Sequence, residues 1–171
     1  MGIFIALLRA VNVGGTGKVA MTDLKDMAAE IGLKSPRTLL QSGNLVFESE
    51  TDDGSDLEAL LEREAEARLG LRTEFLLRTP AAWRALIEAN PFPAEARRNP
   101  SHLLVVFMKA PPDPAPVEAA ADGLPETVKV RGREAYVVYP EGMGRSKLKL
   151  PVRGTGRNWN TVLKLADMVG L

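Results

Sequence analysis

The chain has no cysteine and a single histidine, His102. The first absence excludes a disulfide framework, thiol catalysis, an iron–sulfur cluster and a cysteine-based zinc site. The second leaves little room for a transition-metal site and only one partner for a serine nucleophile. Aromatics are scarce, with two Trp, two Tyr and five Phe, so the stacking platforms by which ferredoxin-like RNA readers hold bases have few candidates. The longest apolar runs, Ile3 to Leu8 and Leu103 to Met108, are far shorter than the ~20 residues needed to cross a bilayer. No charged leader with a cleavage site precedes the first run. Net charge is absent too, because 22 bases balance 22 acids, which argues against a polyanion-binding surface over the whole molecule. What remains is a soluble globular chain of 171 residues, 45% apolar and 26% charged. It is large enough for one ordinary domain or two very small ones. It is expected in a reducing cytoplasm, with no metal, cofactor or membrane.

The charges balance but are not mixed. Between Glu48 and Glu66 nine acids face only Arg63, whereas between Lys129 and Arg157 eight bases face only Glu134 and Glu141. The acidic run reads as a solvated helix face. The basic run lies in loop-like sequence with Gly and Asn, which suits an anion.

Apolar spacing sets out the elements. Ile3 to Leu8 reads as a buried strand, and Leu24, Met27, Ala28 and Ile31 recur at helical spacing up to Gly32. Thr38 to Gln41 and Leu45 to Phe47 flank Ser42-Gly43-Asn44 as a hairpin. Asp53 to Leu69 is the clearest helix, ended by Gly70, and Thr73 to Arg78 reads as a strand. This order is the split βαβ, or ferredoxin-like, arrangement. A helix launched by Thr79-Pro80 and closed by Asn90-Pro91 reads as a connector. Beyond it come a strand from His102 to Lys109, a short helix near Val117 to Ala121, a hairpin of Thr127 to Val130 with Ala135 to Tyr139 around Arg131-Gly132-Arg133, and a helix from about Asn160 to Val169. The fold class expected is α+β: two ferredoxin-like subdomains with antiparallel sheets, residues 1–79 and 101–171, joined by residues 80–100. The second is read as incomplete, the same order without its last strand.

Four polar clusters fall between these elements. In the first, Arg9-Ala-Val-Asn12-Val-Gly14-Gly15-Thr16-Gly17-Lys18 joins a strand to a helix, where backbone amides meet anions. It is not a Walker A loop, because Asn12 and Val19 stand where Gly and a magnesium-binding hydroxyl are required. A formal dinucleotide fingerprint from Gly15 to Ala20 starts too far from Leu8, and the next strand ends in Gln41-Ser42 rather than an acid. What survives is a glycine loop presenting Arg9, Asn12, Gly14, Gly15 and Lys18 to a carboxylate, a phosphate or an RNA backbone, or a loop whose glycines only supply positive φ. The second cluster, Gln41-Ser42-Gly43-Asn44, offers Ser42 and Asn44 to the same ligand or serves as a turn. A nucleophilic Ser42 would require His102 beside it. In the third and fourth, Gly142-Met-Gly144-Arg145-Ser146-Lys147 and Arg157-Asn158-Trp159-Asn160-Thr161, the cations Arg145, Lys147 and Arg157 suit phosphate or carboxylate oxygens. Asn158 and Asn160 are either ligand contacts or caps of the last helix, and Trp159 is a core anchor or a stacking platform. No pair of carboxylates sits near a glycine loop in the way that acid–base work or magnesium requires.

Together, Ala6-Leu-Leu-Arg9-Ala-Val-Asn12-Val-Gly14-Gly15, Gln41-Ser42-Gly43-Asn44-Leu-Val-Phe47, Gly142-Met-Gly144-Arg145-Ser146-Lys147-Leu148 and Arg157-Asn158-Trp159-Asn160-Thr161-Val162 resemble the bacterial family known as domain of unknown function 1697. The resemblance spans nearly the whole chain and implies two ferredoxin-like subdomains in a cytosolic bacterial protein. It supplies no activity. Ala10 stands where that family usually has Gly, Thr16 where it often has Lys and Gly156 where it often has Thr. The stretch from Lys149 to Gly156 is also shorter than usual, so a short helix common there is expected to be missing. Three functions follow from the residues: binding of a nucleotide, a short RNA or another small anion; a metal-independent enzyme on a small anionic metabolite with Ser42 or Lys18 reactive; or an interaction module using the acidic helix and basic tail. The oligomeric state is left open.

Overall fold

The apolar run near the N-terminus forms the strand β1 (Gly2–Leu8). Successive side chains of a strand alternate between faces. Phe4, Ala6 and Leu8 therefore point one way and Ile5 and Leu7 the other, and all five are buried, as in strands covered on both sides. On the first face, the helices α1 (Met21–Glu30) and α2 (Gly54–Leu69) lay down Leu24, Met27 and Ala28, and Leu57, Leu61 and Ala65, at their three- and four-residue spacings. Each large side chain buried in this way contributes roughly 1.5–3 kcal/mol. The strands β2 (Lys34–Leu39), β3 (Asn44–Ser49) and β4 (Phe75–Arg78) complete an antiparallel sheet in the order β2-β3-β1-β4. Our computed structural model describes residues 1–10, 17–51 and 53–171.

Local chemistry explains the ends of α2. The Asp53 side chain accepts from the Ser55 hydroxyl at 2.8 Å and from the N–H groups of Ser55 and Asp56 at 3.0 and 3.2 Å. These bonds, led by the Ser55 side chain, hold its carboxyl below the usual range. Gly70 closes the helix at φ 63°, a conformation glycine adopts without steric cost. Two acids of the run read as a solvated face do more than meet water. Glu58 and Glu62 accept the backbone N–H groups of Leu77 and Phe75, each at 2.9 Å, and so cover the outer edge of β4.

The second sheet follows the same spatial plan. Strands β5 (Leu103–Phe107), β6 (Thr127–Arg131), β7 (Glu134–Val138) and β8 (Thr155–Asn158) pair antiparallel in the order β6-β7-β5-β8. This corrects one expectation, because the fourth strand is present: β8 pairs Thr155 with Phe107 and Arg157 with Val105. It is hidden in sequence because Thr-Gly-Arg-Asn has no apolar alternation. What the second subdomain lacks is the helix before that strand, since residues 139–154 contain none. In its stead Leu148, Leu150 and Val152 pack on the core formed by Val106, Val128, Val130, Val137 and Val117 of α5 (Pro114–Ala119), while Lys147, Lys149, Pro151 and Arg153 between them stay exposed. Gly154 then brings the chain so near β5 that a Cβ there would lie 2.4 Å from the Phe107 carbonyl oxygen. The closing helix, α6 (Trp159–Met168), starts one residue earlier than expected.

Along the chain from β4 to β5 come α3 (Pro80–Glu88), α4 (Pro93–Arg98) and a 3-10 turn at Pro100–His102. Residues Met1–Trp83 with Leu165–Leu171 make one compact unit and Arg84–Lys164 the other. Within the second, the buried Tyr136 phenol donates to the Leu86 carbonyl of α3, and burial raises its pKa strongly.

Candidate functional site

In the first unit the polar residues gather where β1 ends and β3 begins. The Leu8 N–H donates to the Gly43 carbonyl at 2.9 Å, and the Arg9 N–H donates to Glu74 at 3.0 Å. The Arg9 carbonyl accepts the Thr73 hydroxyl at 2.6 Å. The hairpin loop is longer than the sequence implied, since Leu39 faces Asn44 across the pair and residues 40–43 make the turn. Asn44 itself is buried, with 0% exposure. Its Nδ2 donates to the Leu39 carbonyl at 2.7 Å and to the Ser42 Oγ at 3.1 Å, which ties the loop shut. Ser42 is exposed.

Two strained residues lie at this end. Ala10 has φ 54° and Leu40 φ 59°, while a third such residue, Ser35 at φ 50°, lies at the start of β2 away from this end; this region is costly to residues with a Cβ. For Ala10 this accounts for the glycine usual in the resembling family. Lys18, Val19, Ala20, Asp23, Gln41 and Leu69 line an open depression of about 570 Å³. Ala20 precedes α1 and makes no side-chain cap, so the first N–H groups of the helix have no side-chain acceptor among the described residues. Lys18 is exposed and makes no hydrogen bond or ion pair among the described residues. Asn12, Gly14 and Gly15 lie outside the described residues.

In the second unit Arg145 and Lys147 come together with Leu124, Pro125, Glu126, Glu141, Gly142 and Ser146 around a concavity of about 250 Å³. Arg157 is instead only 5% exposed. Its guanidinium donates to the Thr155 hydroxyl at 2.7 Å and the Gly156 carbonyl at 2.8 Å, and burial lowers its pKa to about 10. Asn158 caps α6 by accepting the Thr161 N–H at 3.0 Å, Trp159 is buried and Asn160 is exposed. The buried Trp159 presents no free ring face for a base.

Glu126 is the residue that sequence reasoning missed. It is 6% exposed and accepts the Ser146 hydroxyl at 2.6 Å. A signal was present: Glu126, Val128 and Val130 share one parity, so the acid occupies a core-facing position of the β6 alternation. Burial, and then the charge of Glu126, raise the pKa of Tyr139. His102 packs near Gly142, whose Cβ, if present, would lie 3.8 Å from Nε2, and its Nδ1 is buried without a hydrogen-bond partner. Among the described residues no three His, Asp or Glu side chains cluster as metal ligands, and no helix is long and apolar enough to cross a membrane.

Two antiparallel sheets with one strand order define a protein of paired split-βαβ subdomains. The chain belongs to the family described as "Protein of unknown function (DUF1697)", whose model matches residues 1–136. Its structure is similar to that of a conserved bacterial protein, SP0830 from Streptococcus pneumoniae, with 25% identity, coverage of 98% of each chain and a TM-score of 0.76. That likeness takes in the third and fourth motifs, which lie beyond the family match. No curated protein matches the chain.

Proposed function

We propose that the protein binds a phosphate-bearing anion, a nucleotide or the backbone of a short RNA, at the end of the first sheet. Arg9, Lys18 and Ser42 are the proposed contacts among the described residues, and Asn12, Gly14 and Gly15, between Arg9 and Lys18 in sequence, are proposed with them. The observation that carries the reading is the depression where an unpaired Lys18 and the uncapped start of α1 lie together with Gln41. Amides at a helix N-terminus and a nearby ammonium both stabilise phosphate oxygens. The strained Ala10 and Leu40 support the same place, because such conformations persist where the surrounding structure holds a site in shape. Asp23 shares the lining and opposes a ligand of very high charge.

The test is thermal unfolding of the full chain with inorganic phosphate, mononucleotides and short oligonucleotides at low and moderate salt. A ligand at a hundredfold excess over its Kd should add about 2.7 kcal/mol, the effect should shrink with salt, and Lys18→Ala should weaken binding about tenfold or more. No stabilisation by any of these ligands, or full retention of it in Lys18→Ala, refutes the reading.

A further inference from the structure

The concavity of the second unit has a different chemistry. Its lining carries two carboxylates, Glu126 and Glu141, and two cations, Arg145 and Lys147, and none of the four forms an ion pair among the described residues. Opposite charges on one small surface ordinarily pair or are kept apart for a reason. Glu126 is the informative member, because it is 94% buried by the complement of its 6% exposure. An ionised carboxylate offers about four acceptor positions, and the Ser146 hydroxyl on Oε1 fills one. No donor among the described residues bonds Oε2, and this oxygen keeps some contact with solvent. Glu126 lines the concavity, and Oε2, neither bonded nor sealed from solvent, is the carboxylate atom left for a ligand there. A carboxylate this buried with so few bonds is costly unless a cation meets it. The cations sit at the exposed rim, and Leu124 with Pro125 supplies an apolar wall.

We propose that this concavity is a second ligand site, distinct from the anion site of the first unit, and that it takes a small zwitterion of the free amino-acid class. The ligand's ammonium donates to Oε2 of Glu126. Its carboxylate lies against Arg145 and Lys147, and its side chain against Leu124 and Pro125. The Ser146 hydroxyl holds Glu126 in place and in turn accepts the Leu148 N–H at 3.1 Å, which links the carboxylate to the segment that packs Leu148, Leu150 and Val152 on the core.

The experiment titrates the isotopically labelled full chain with each of the twenty L-amino acids and reads amide shifts. The best binder is then compared with its N-acetyl and methyl-ester derivatives, which lack the ammonium and the carboxylate. At least one amino acid should bind at or below the order of 10 mM, moving the amides of Leu124, Glu126 and residues 141–147. Both derivatives, and the variant Glu126→Gln, should lose about tenfold or more. The glutamine keeps an oxygen for the Ser146 hydroxyl, and if that variant fails to fold the two derivatives still decide. Failure of every amino acid to shift these amides overturns the proposal. So does an N-acetyl derivative that binds as well as the parent, which marks a plain anion site, or a methyl ester that does so, which marks a plain ammonium site.

Discussion

The outer edge of the first sheet supplies a quantitative test. β4 is an edge strand, and its outward N–H groups at Phe75 and Leu77 are two residues apart, about 6.8 Å along a strand. Glu58 and Glu62 are four apart on α2, about 6 Å along a helix. The two periods match closely enough for both carboxylates to accept at 2.9 Å. A hydrogen bond to a charged group contributes about 1.5–3 kcal/mol, and removing the acceptor leaves a half-buried N–H to find water. Glu58→Ala and Glu62→Ala should each cost about 1–3 kcal/mol. The glutamine variants, which keep an acceptor oxygen, should cost about half as much. Glu66→Ala removes only an exposed pair with Arg72 and should stay within about 0.5 kcal/mol. Urea unfolding midpoints read all five variants. The double alanine variant should also self-associate in sedimentation, because a bare edge invites another strand. If the alanine variants match Glu66→Ala and the double variant stays unassociated, the carboxylates do not cover this edge.

Three further perturbations follow. Ala10→Gly should be neutral or stabilising by up to about 1 kcal/mol, since φ 54° strains alanine and not glycine; a loss of that size in urea unfolding contradicts the assigned conformation. Gly154→Ala should cost more than about 2 kcal/mol, because its Cβ meets a backbone oxygen at 2.4 Å, whereas Gly156→Ala meets only the movable Leu104 side chain at 3.0 Å and should cost less; the reverse order in unfolding midpoints refutes this. Tyr136 and Tyr139 titrate above the ordinary phenol value, chiefly through burial. The stability they confer is therefore complete below pH of about 10 and lost as pH rises through their folded values. A spectrophotometric titration should show two late phenols whose ionisation accompanies unfolding, and two ordinary ones would contradict the burial.

Apolar runs made most of the fold legible. β1, β3, β5 and β7 announce themselves because their buried residues are aliphatic or aromatic, and α1 and α2 because their apolar residues keep helical spacing. β2 starts earlier than its apolar end suggested, since Lys34-Ser-Pro-Arg is polar and bulged at an exposed edge. β8 escaped because its buried side chains are Thr155 and Arg157, residue types that a hydrophobic pattern passes over. The clusters were visible as composition, but polarity does not tell which way a side chain turns. Lys18, Arg145 and Lys147 face open depressions, whereas Asn44 and Arg157 are buried in hydrogen bonds of the fold. Glu126 lay in plain view and needed the β6 parity to be noticed.

The strip from Leu148 to Val152 stands where the first unit has a sixteen-residue helix. A helix satisfies its own backbone, whereas a strip with alternate residues buried carries the sticky geometry of an unpaired strand. Its outward positions are Lys147, Lys149, Pro151 and Arg153, three charges that repel a second copy and an imino acid with no N–H to offer. Basicity in this part of the chain thus also works against pairing of copies: a drift toward Val or Thr at Lys149 and Pro151 would leave Leu148, Leu150 and Val152 packed on the core and still make the protein harder to keep in solution.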